Sequence, residues 1–309
     1  MHEEDPLTGR RFLGVTLLNI GITGFELLGG VVSGSLALLS DAFHNMGDAV
    51  SIVLSYVAHR ISQRGEDQQN TFGYRRAQIL AALLNSFLLI LISAFLVVEA
   101  IRRFSHPEPI HGTLMFWVAV ISLAANLLST WLLSRGSKHN LNIRATYLHL
   151  LSDALGSVAV IVGAVLIATV QWYWVDPLLT MVVAIYIMWE SWPIIRETIR
   201  ILMQGAPELD YDAIRHDLLR IDGVTGVHHV HAWMIDENNI IFSAHVNLHD
   251  QPLSNVEPVY RKIENVLCQD YHISHVTIQA ECRRGSDEQM IYGEHDFRQF
   301  SESENAKEK

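Results

Sequence analysis

The chain has 309 residues, half of them hydrophobic, with two cysteines and a formal net charge of −11. The mean hydropathy is +0.20, and the apolar residues are gathered into runs. These values argue against an ordinary soluble globular protein, a disulfide-stapled secreted domain and a nucleic-acid binder, and for an integral protein of the lipid bilayer.

Six runs are each about 20 residues long, the length that crosses a bilayer. They are read at Phe12 to Val32, Leu36 to Ala58, Ile79 to Ile101, Leu114 to Leu133, Leu148 to Val170 and Leu178 to Ile195. Residues 1–11 form a short N-terminus, and 12–206 form a transmembrane domain. No charged segment with a short apolar core and a cleavage site precedes the first run, so no cleavable signal peptide is expected. Arg10 and Arg11, Arg60, Arg64, Arg75 and Arg76, Arg135, Lys138 and Arg144, and Arg196 and Arg200 all fall on one side of the six runs; the other side has Arg102 and Arg103. The positive-inside bias therefore puts both termini in the cytoplasm.

Gly29 to Ser35 joins the first two runs as a tight turn and makes them antiparallel neighbours. Within the second run stand His44 and Asp48, and at the edge of the fifth His149 and Asp153. The i, i+4 spacing puts both members of each pair on one helix face. Two such helices facing each other offer two imidazoles and two carboxylates, a tetrahedral donor set that suits Zn²⁺ and balances its charge. Ionisable groups at this depth are costly, so their repetition marks a functional site. Small residues Gly47, Ser51 and Ser55 beside Asp48, and Ala159 and Gly163 below Asp153, allow close helix approach. Asn45 points off the shared face and reads as a structural hydrogen-bonder, as do Asn19, Asn85 and Asn126. Glu26 and Glu190 read as structurally paired or as proton carriers, and Glu99 as a partner for Arg102 or Arg103. Trp172, Tyr173 and Trp174 at a span end form an interfacial aromatic belt.

From Pro207 the pattern is that of a soluble domain: helix (Asp210 to Arg220), strand (Val224 to Met234), turn (Asp236 to Asn239), strand (Ile240 to Leu248), helix (Leu253 to Asp270) and strand (Ile273 to Glu281). This αββαβ order folds as a three-stranded sheet with both helices on one face. Alternation leaves Ser243, His245 and Asn247 of the second strand, and His275, Thr277, Gln279 and Glu281 of the third, on the other face. The first strand carries His228, His229 and His231, the latter two sharing a face with Trp233. The domain spans 207–284, and 285–309 is an acidic tail without periodicity. Cys268 and Cys282 lie here, where thiols stay reduced.

The run Phe25-Glu-Leu-Leu-Gly-Gly-Val-Val-Ser-Gly-Ser-Leu-Ala-Leu-Leu-Ser-Asp-Ala-Phe-His-Asn-Met-Gly-Asp48, the stretch Phe72-Gly-Tyr-Arg-Arg-Ala77, the segment His149-Leu-Leu-Ser-Asp-Ala-Leu-Gly-Ser157 and Val227-His-His-Val-His-Ala-Trp233 resemble the cation diffusion facilitator family, in its bacterial zinc-exporting branch. The resemblance covers Arg11 to Glu281. It implies a homodimer in a bacterial inner membrane, six transmembrane helices per protomer, a copper-chaperone-like αββαβ domain, and Zn²⁺/H⁺ antiport by alternating access. The family's transport ligands map onto His44, Asp48, His149 and Asp153, and a His at the first of these positions is associated with zinc over cadmium. Its cytoplasmic ligands map onto His228, His245 and Glu281, while Gln279 stands where binuclear members have His. Plain alternation puts His228 on the opposite face from His245. Either the first strand bends near Gly226 or His231 substitutes, so the cytoplasmic candidates are His228, His231, His245, His275 and Glu281. The loop between the second and third spans has Asp67 but no histidine beyond His59 at its very start, and no long His-rich loop separates spans four and five.

In the expected cycle Zn²⁺ displaces protons from the quartet on the cytoplasmic side and protons from outside compete it off. A histidine with a pKa of ~6.5 exchanges its proton at near-neutral pH, so His149 is the favoured carrier, with Asp153 and Asp48 supplying charge. The partners are Zn²⁺, H⁺, a second copy of the chain and lipid. Zn²⁺ is cargo and, in the soluble domain, a structural or regulatory ion; no other cofactor is implied. The rival readings are an exporter of Cd²⁺, Co²⁺ or Fe²⁺, a metal sensor that transports nothing, and an intramembrane metallohydrolase. The last lacks a His-Glu-x-x-His motif and an open coordination position.

Overall fold

In the computed structural model the backbone is described for residues 6–134, 141–285 and 290–291, and side chains for 17–131, 153–285 and 290–291. The elements in chain order are α1 (Pro6–Ser33), α2 (Leu36–Ser62), α3 (Arg76–Ser105), α4 (Gly112–Ser134), α5 (Leu141–Val170), α6 (Val175–Leu202), α7 (Tyr211–Leu219), β1 (Val224–Asp236), β2 (Asn239–Leu248), α8 (Leu253–Asp270) and β3 (His275–Glu281). They divide into two compact units, residues 1–60 with 80–196, and residues 61–79 with 197–309.

The first unit is helical. Every expected run lies within a helix, and the helices overrun the apolar runs. Even the shortest of the six, α4 with 23 residues, is about 35 Å long, more than the ~30 Å hydrocarbon thickness. Among the described residues, Arg76–Ser105, Gly112–Trp131, Asp153–Val170 and Val175–Leu202 are long and apolar enough to cross a membrane, and Leu17–Ser33 is a shorter apolar helix. The second helix is not among them because it carries Asp41, His44, Asn45 and Asp48. Around the six helices apolar side chains point outward, including Phe95, Val98, Trp117, Val182 and Trp189. Such a belt has nothing to satisfy in water and is solvated by lipid.

Inside, Ala37 and Leu38 of α2, Met115, Val118 and Ala119 of α4, and Val160, Ala164 and Ile167 of α5 form one core. Small residues allow helices to close on each other. A Cβ on Gly47 would run into the Leu89 side chain, and one on Gly163 would lie 2.6 Å from Leu179 Cδ1. Glu99 pairs with both Arg102 and Arg103 at 3.5 Å. Trp172 and Trp174 contact each other, ring centroids 5.8 Å apart, while Tyr173 packs inward. Asn126 departs from its expected interhelical role. Its buried amide has no hydrogen-bond partner among the described residues, and Thr130 Oγ instead donates to its backbone carbonyl (2.7 Å), a local bond that hydroxyls form readily in helices.

The second unit contains the αββαβ domain. Strands run β1-β2-β3, with β1/β2 antiparallel and β2/β3 parallel. Asp236 makes the hairpin, its Oδ1 accepting from Asn238 N (2.9 Å) and Asn239 Nδ2 (2.7 Å). On one sheet face Val227, Phe242, Ala244, Val246 and Leu248 meet Ile214 and Leu218 of α7 and Val256, Val259, Ile263 and Leu267 of α8. Each of these side chains other than Ala244 contributes about 1.5–3 kcal/mol of burial. Asp210 caps α7, accepting from Ala213 N (3.0 Å). Tyr271, just after α8, donates to Asp217 Oδ2 of α7 (2.7 Å). Burial first, and then that hydrogen bond, push its hydroxyl up to about 12.

The linear division at 206/207 separates segments that pack together. Residues 61–79 and the end of α6 belong with the soluble fold, where Ile79 and Ile201 bury against Met234 and Arg75 faces Asp236 at 4.0 Å. In the connection before α3, Asp67 organises a turn, accepting from Gln69 N (2.8 Å), Asn70 N (2.7 Å) and the Tyr74 hydroxyl (2.7 Å). The Tyr74 hydrogen bond first, then the two amides, hold its carboxyl below the usual range.

Candidate metal centre

Within the helical unit, the i, i+4 spacing on α2 brings His44 Nε2 to 3.9 Å from Asp48 Oδ2. Asp153 of α5 comes to the same nitrogen from the other side, its Oδ1 at 4.0 Å. These separations are slightly wider than the ~3.4 Å edge of a tetrahedron with bonds of 2.0–2.1 Å. His44 Nε2 is thus the shared neighbour of a carboxylate on α2 and one on α5, and these are three of the four expected donors. His149 lies on α5 one turn before Asp153; its side chain is outside the described residues. Asp153 is 7% exposed, and two carboxylates so placed have a strong demand for positive charge.

Two buried carboxyls support α2 from outside this set. Asp176, at the start of α6, accepts from Leu36 N (2.8 Å), Ala37 N (3.1 Å) and Ser35 Oγ, while Ser35 Oγ accepts from Leu38 N (3.2 Å). Together they satisfy the amides that the first turn of a helix leaves open and set a negative charge at the positive end of its dipole. Glu26 of α1, fully buried, accepts from Asn45 Nδ2 (2.8 Å) and from Ser122 Oγ of α4, and Asp41 of α2 reaches the same carboxyl. Glu26 thus ties α1, α2 and α4 beside the ligands. Glu190 is hydrogen-bonded by Tyr186. Asn45 has the structural role read from its position off the shared face. Asp176 was missed, because a lone Asp before a Pro and an apolar run looks like an ordinary cap for its own helix.

In the soluble domain His228, His245 and Glu281 converge, with ligand atoms all within 4.8 Å of one another. Glu281 Oε2 is 3.2 Å from His228 Nε2, and Oε1 is 3.2 Å from His245 Nδ1. The face conflict that alternation created is resolved by irregularities in β1. Register shifts occur between Val224 and Gly226 and again between His228 and His231, so that His228 pairs directly with His245. A bend near Gly226 is thus what occurs, and His231 does not substitute. Instead His231 lies beside His229. His275 is a second correction: its backbone pairs with Ile241 at the start of β3, six residues from Glu281, and its ring packs edge-on against Phe72, centroids 6.1 Å apart. Gln279 Nε2 donates to Glu281 Oε1 (2.7 Å) and orients the carboxylate from the position opposite His245, the supporting role that outer-shell amides play around metal ligands.

The chain after β3 is tied back to β1 and β2, with Gly285 beside His228. Asn247 Nδ2 donates to Arg284 O (2.8 Å), Val230 N to Met290 O (2.8 Å), and Met290 packs on the domain core. The beginning of the 285–309 segment is therefore joined to β1. Gly285 has φ +64, and a Cβ there would collide with the His228 imidazole. Gly285→Ala is expected to cost about 1–2 kcal/mol in backbone strain and to push the imidazole aside. Zinc bound outside the helical unit should weaken by about tenfold or more, measured by calorimetry on the solubilised chain in an Asp153→Ala background.

A helical domain of apolar spans followed by a small α+β domain is the architecture of an integral membrane protein. Residues 13–203 match the cation efflux transmembrane domain, and residues 206–282 match the cytoplasmic domain of cation efflux proteins. The chain is 40% identical to a cadmium, cobalt and zinc/H⁺-K⁺ antiporter of Bacillus velezensis, over 85% of this chain and 86% of the relative. It is 38% identical to the zinc transporter ZitB of Pectobacterium atrosepticum, over 92% and 88%. It is 35% identical to the metal cation efflux system protein CzcD of Cupriavidus metallidurans, over 83% and 81%. The chain belongs to the cation efflux family, the cation diffusion facilitators. It is a membrane transport protein and not an enzyme, which removes the metallohydrolase reading.

Proposed function

We propose that this protein exports Zn²⁺ from the cytoplasm in exchange for H⁺ by alternating access. The observation that carries the proposal is the approach of Asp153 on α5 to His44 on α2, 4.0 Å across two helices. A site made jointly by two helices can be opened to either side by a small movement of one against the other, which a site within a single helix cannot. His149 on α5 supplies the fourth ligand in this reading.

The ligands must be deprotonated to hold the ion, so metal arriving from the cytoplasm releases protons and protons arriving from the far side release metal. The basic residues favour an inner-membrane orientation with both termini in the cytoplasm. In the soluble domain, His228, His245 and Glu281 hold a regulatory zinc that tightens a homodimer. The relatives named for zinc transport support the cargo.

Imidazole plus carboxylate also accepts Cd²⁺ and Co²⁺, and the relative from Bacillus velezensis is named for all three metals. Metal uptake into sealed proteoliposomes under an imposed pH gradient tests the proposal. Zn²⁺ uptake that collapses when the gradient is dissipated is the expected result, with Cd²⁺ slower. Uptake indifferent to the gradient would remove the antiport, and no uptake with retained binding would leave a sensor.

A further inference from the structure

The bulge in β1 does more than correct the register. His228 pairs with His245 and His231 with Ser243, leaving His229 and Val230 outside the ladder. His229 takes φ +50, a left-handed conformation that costs a non-glycine residue about 1–3 kcal/mol. The displaced Val230 amide donates to Met290 O (2.8 Å), so the strained turn is held by a bond from outside the sheet. The result is that two histidines two residues apart bring their Nε2 atoms to 3.3 Å, with ring centroids 4.7 Å apart and planes at 84°.

The two nitrogens lie within hydrogen-bond reach of each other, just beyond the ~2.7–3.2 Å usual for N–H···O bonds. Their separation also matches the ~3.3–3.4 Å edge of a tetrahedron whose Zn–N bonds are 2.0–2.1 Å. His231 is exposed, whereas His229 stacks on His245, centroids 4.4 Å apart. We propose that His229 and His231 form a second, solvent-facing metal site next to the buried trio, which takes a divalent ion of the zinc class through two imidazoles and completes its shell with water. Two neutral nitrogen donors suit Zn²⁺ and Co²⁺ and offer nothing to Mg²⁺ or Ca²⁺, which need oxygen ligands. With two protein ligands rather than three, the site binds more weakly than the trio and fills after it. It needs no transport activity, so its test is independent of the flux assay.

The experiment is equilibrium dialysis of the metal-free, full-length chain in detergent against ⁶⁵Zn²⁺, compared with His229→Ala/His231→Ala. The double variant should lose one equivalent per protomer from the weaker phase, and Mg²⁺ should not compete. The same number of equivalents in both chains overturns the proposal. Because His229 touches His245, the double variant could disturb the trio as well. His231→Asn, at an exposed position, leaves the bulge and His229 in place; it should weaken the last equivalent by about tenfold or more and leave the tighter ones as they are. An unchanged last equivalent in that variant also overturns the site.

Discussion

Asp153→Ala should abolish pH-driven zinc uptake while leaving the chain folded in the membrane. The carboxylate approaches His44 Nε2 from a different helix than the one that carries His44 and Asp48. Its loss therefore removes the α5 carboxylate of the site, and its charge, in one step. Apparent binding of zinc by a four-ligand site is about 10–16 kcal/mol, so one ligand is worth roughly 3 kcal/mol, about a hundredfold in affinity. Asp153→Asn should lose nearly as much, since its amide keeps the volume but removes the charge that offsets the ion. The helix itself has little reason to fail: Ser157 Oγ donates to the Asp153 backbone carbonyl (3.1 Å), which the substitution retains. Flux in proteoliposomes, read beside zinc binding and thermal unfolding, separates these effects. Retained binding with lost flux would move Asp153 from ligand to proton carrier.

The two candidate metal clusters differ in how far the sequence reveals them. In the membrane, helix periodicity is rigid. The His44/Asp48 spacing dictates a shared face, and the cost of burying such groups dictates a partner. The convergence with Asp153 could therefore be anticipated from position alone. In the soluble domain the strand boundaries fall within two residues of the expected ones, because β-rich runs, the Asp-Glu-Asn-Asn turn and the amphipathic α8 are all local signals. What period-2 alternation cannot contain is an extra residue. The bulges near Gly226 and at His229 reset which side chains of β1 meet His245, and nothing in Val-His-His-Val-His announces them. His275 misleads for the opposite reason. It lies on the correct face, but at the far end of β3 from Glu281, and distance along a strand is about 3.3 Å per residue.

The proposed membrane site also depends on groups outside the His44, Asp48 and Asp153 set. Glu26 is held by side chains from α2 and α4, and Asp176 by the first turn of α2. Each fixes the helix that carries His44 and Asp48 at a different height, one at its N-terminus and one beside the ligands. The proposed cycle, in which one helix shifts against another, needs such fixed points, since a ligand pair on a loose helix would lose geometry in every conformation.

Asp176→Ala is accordingly expected to be as damaging as the loss of a ligand, and by a different route. The carboxylate is fully buried and accepts from two backbone amides and the Ser35 hydroxyl. Hydrogen bonds to a charged group are worth about 1.5–3 kcal/mol each, and the donors left behind have no water to turn to. A net loss of about 3–5 kcal/mol is the expected scale, with early unfolding in detergent and little protein in the membrane. Asp176→Asn should be intermediate, since one oxygen can still accept while the new NH₂ faces an amide that also donates. Ser35→Ala should cost about 1 kcal/mol, because Asp176 still reaches Leu36 and Ala37. What separates this from a role in transport is the zinc site itself. Whatever fraction of Asp176→Asn survives folded should bind zinc with the affinity of the unsubstituted chain, whereas Asp153→Asn should be well folded and unable to bind. If folded Asp176→Asn instead binds zinc a hundredfold more weakly, the N-terminus of α2 is part of the metal-binding machinery and not only its anchor.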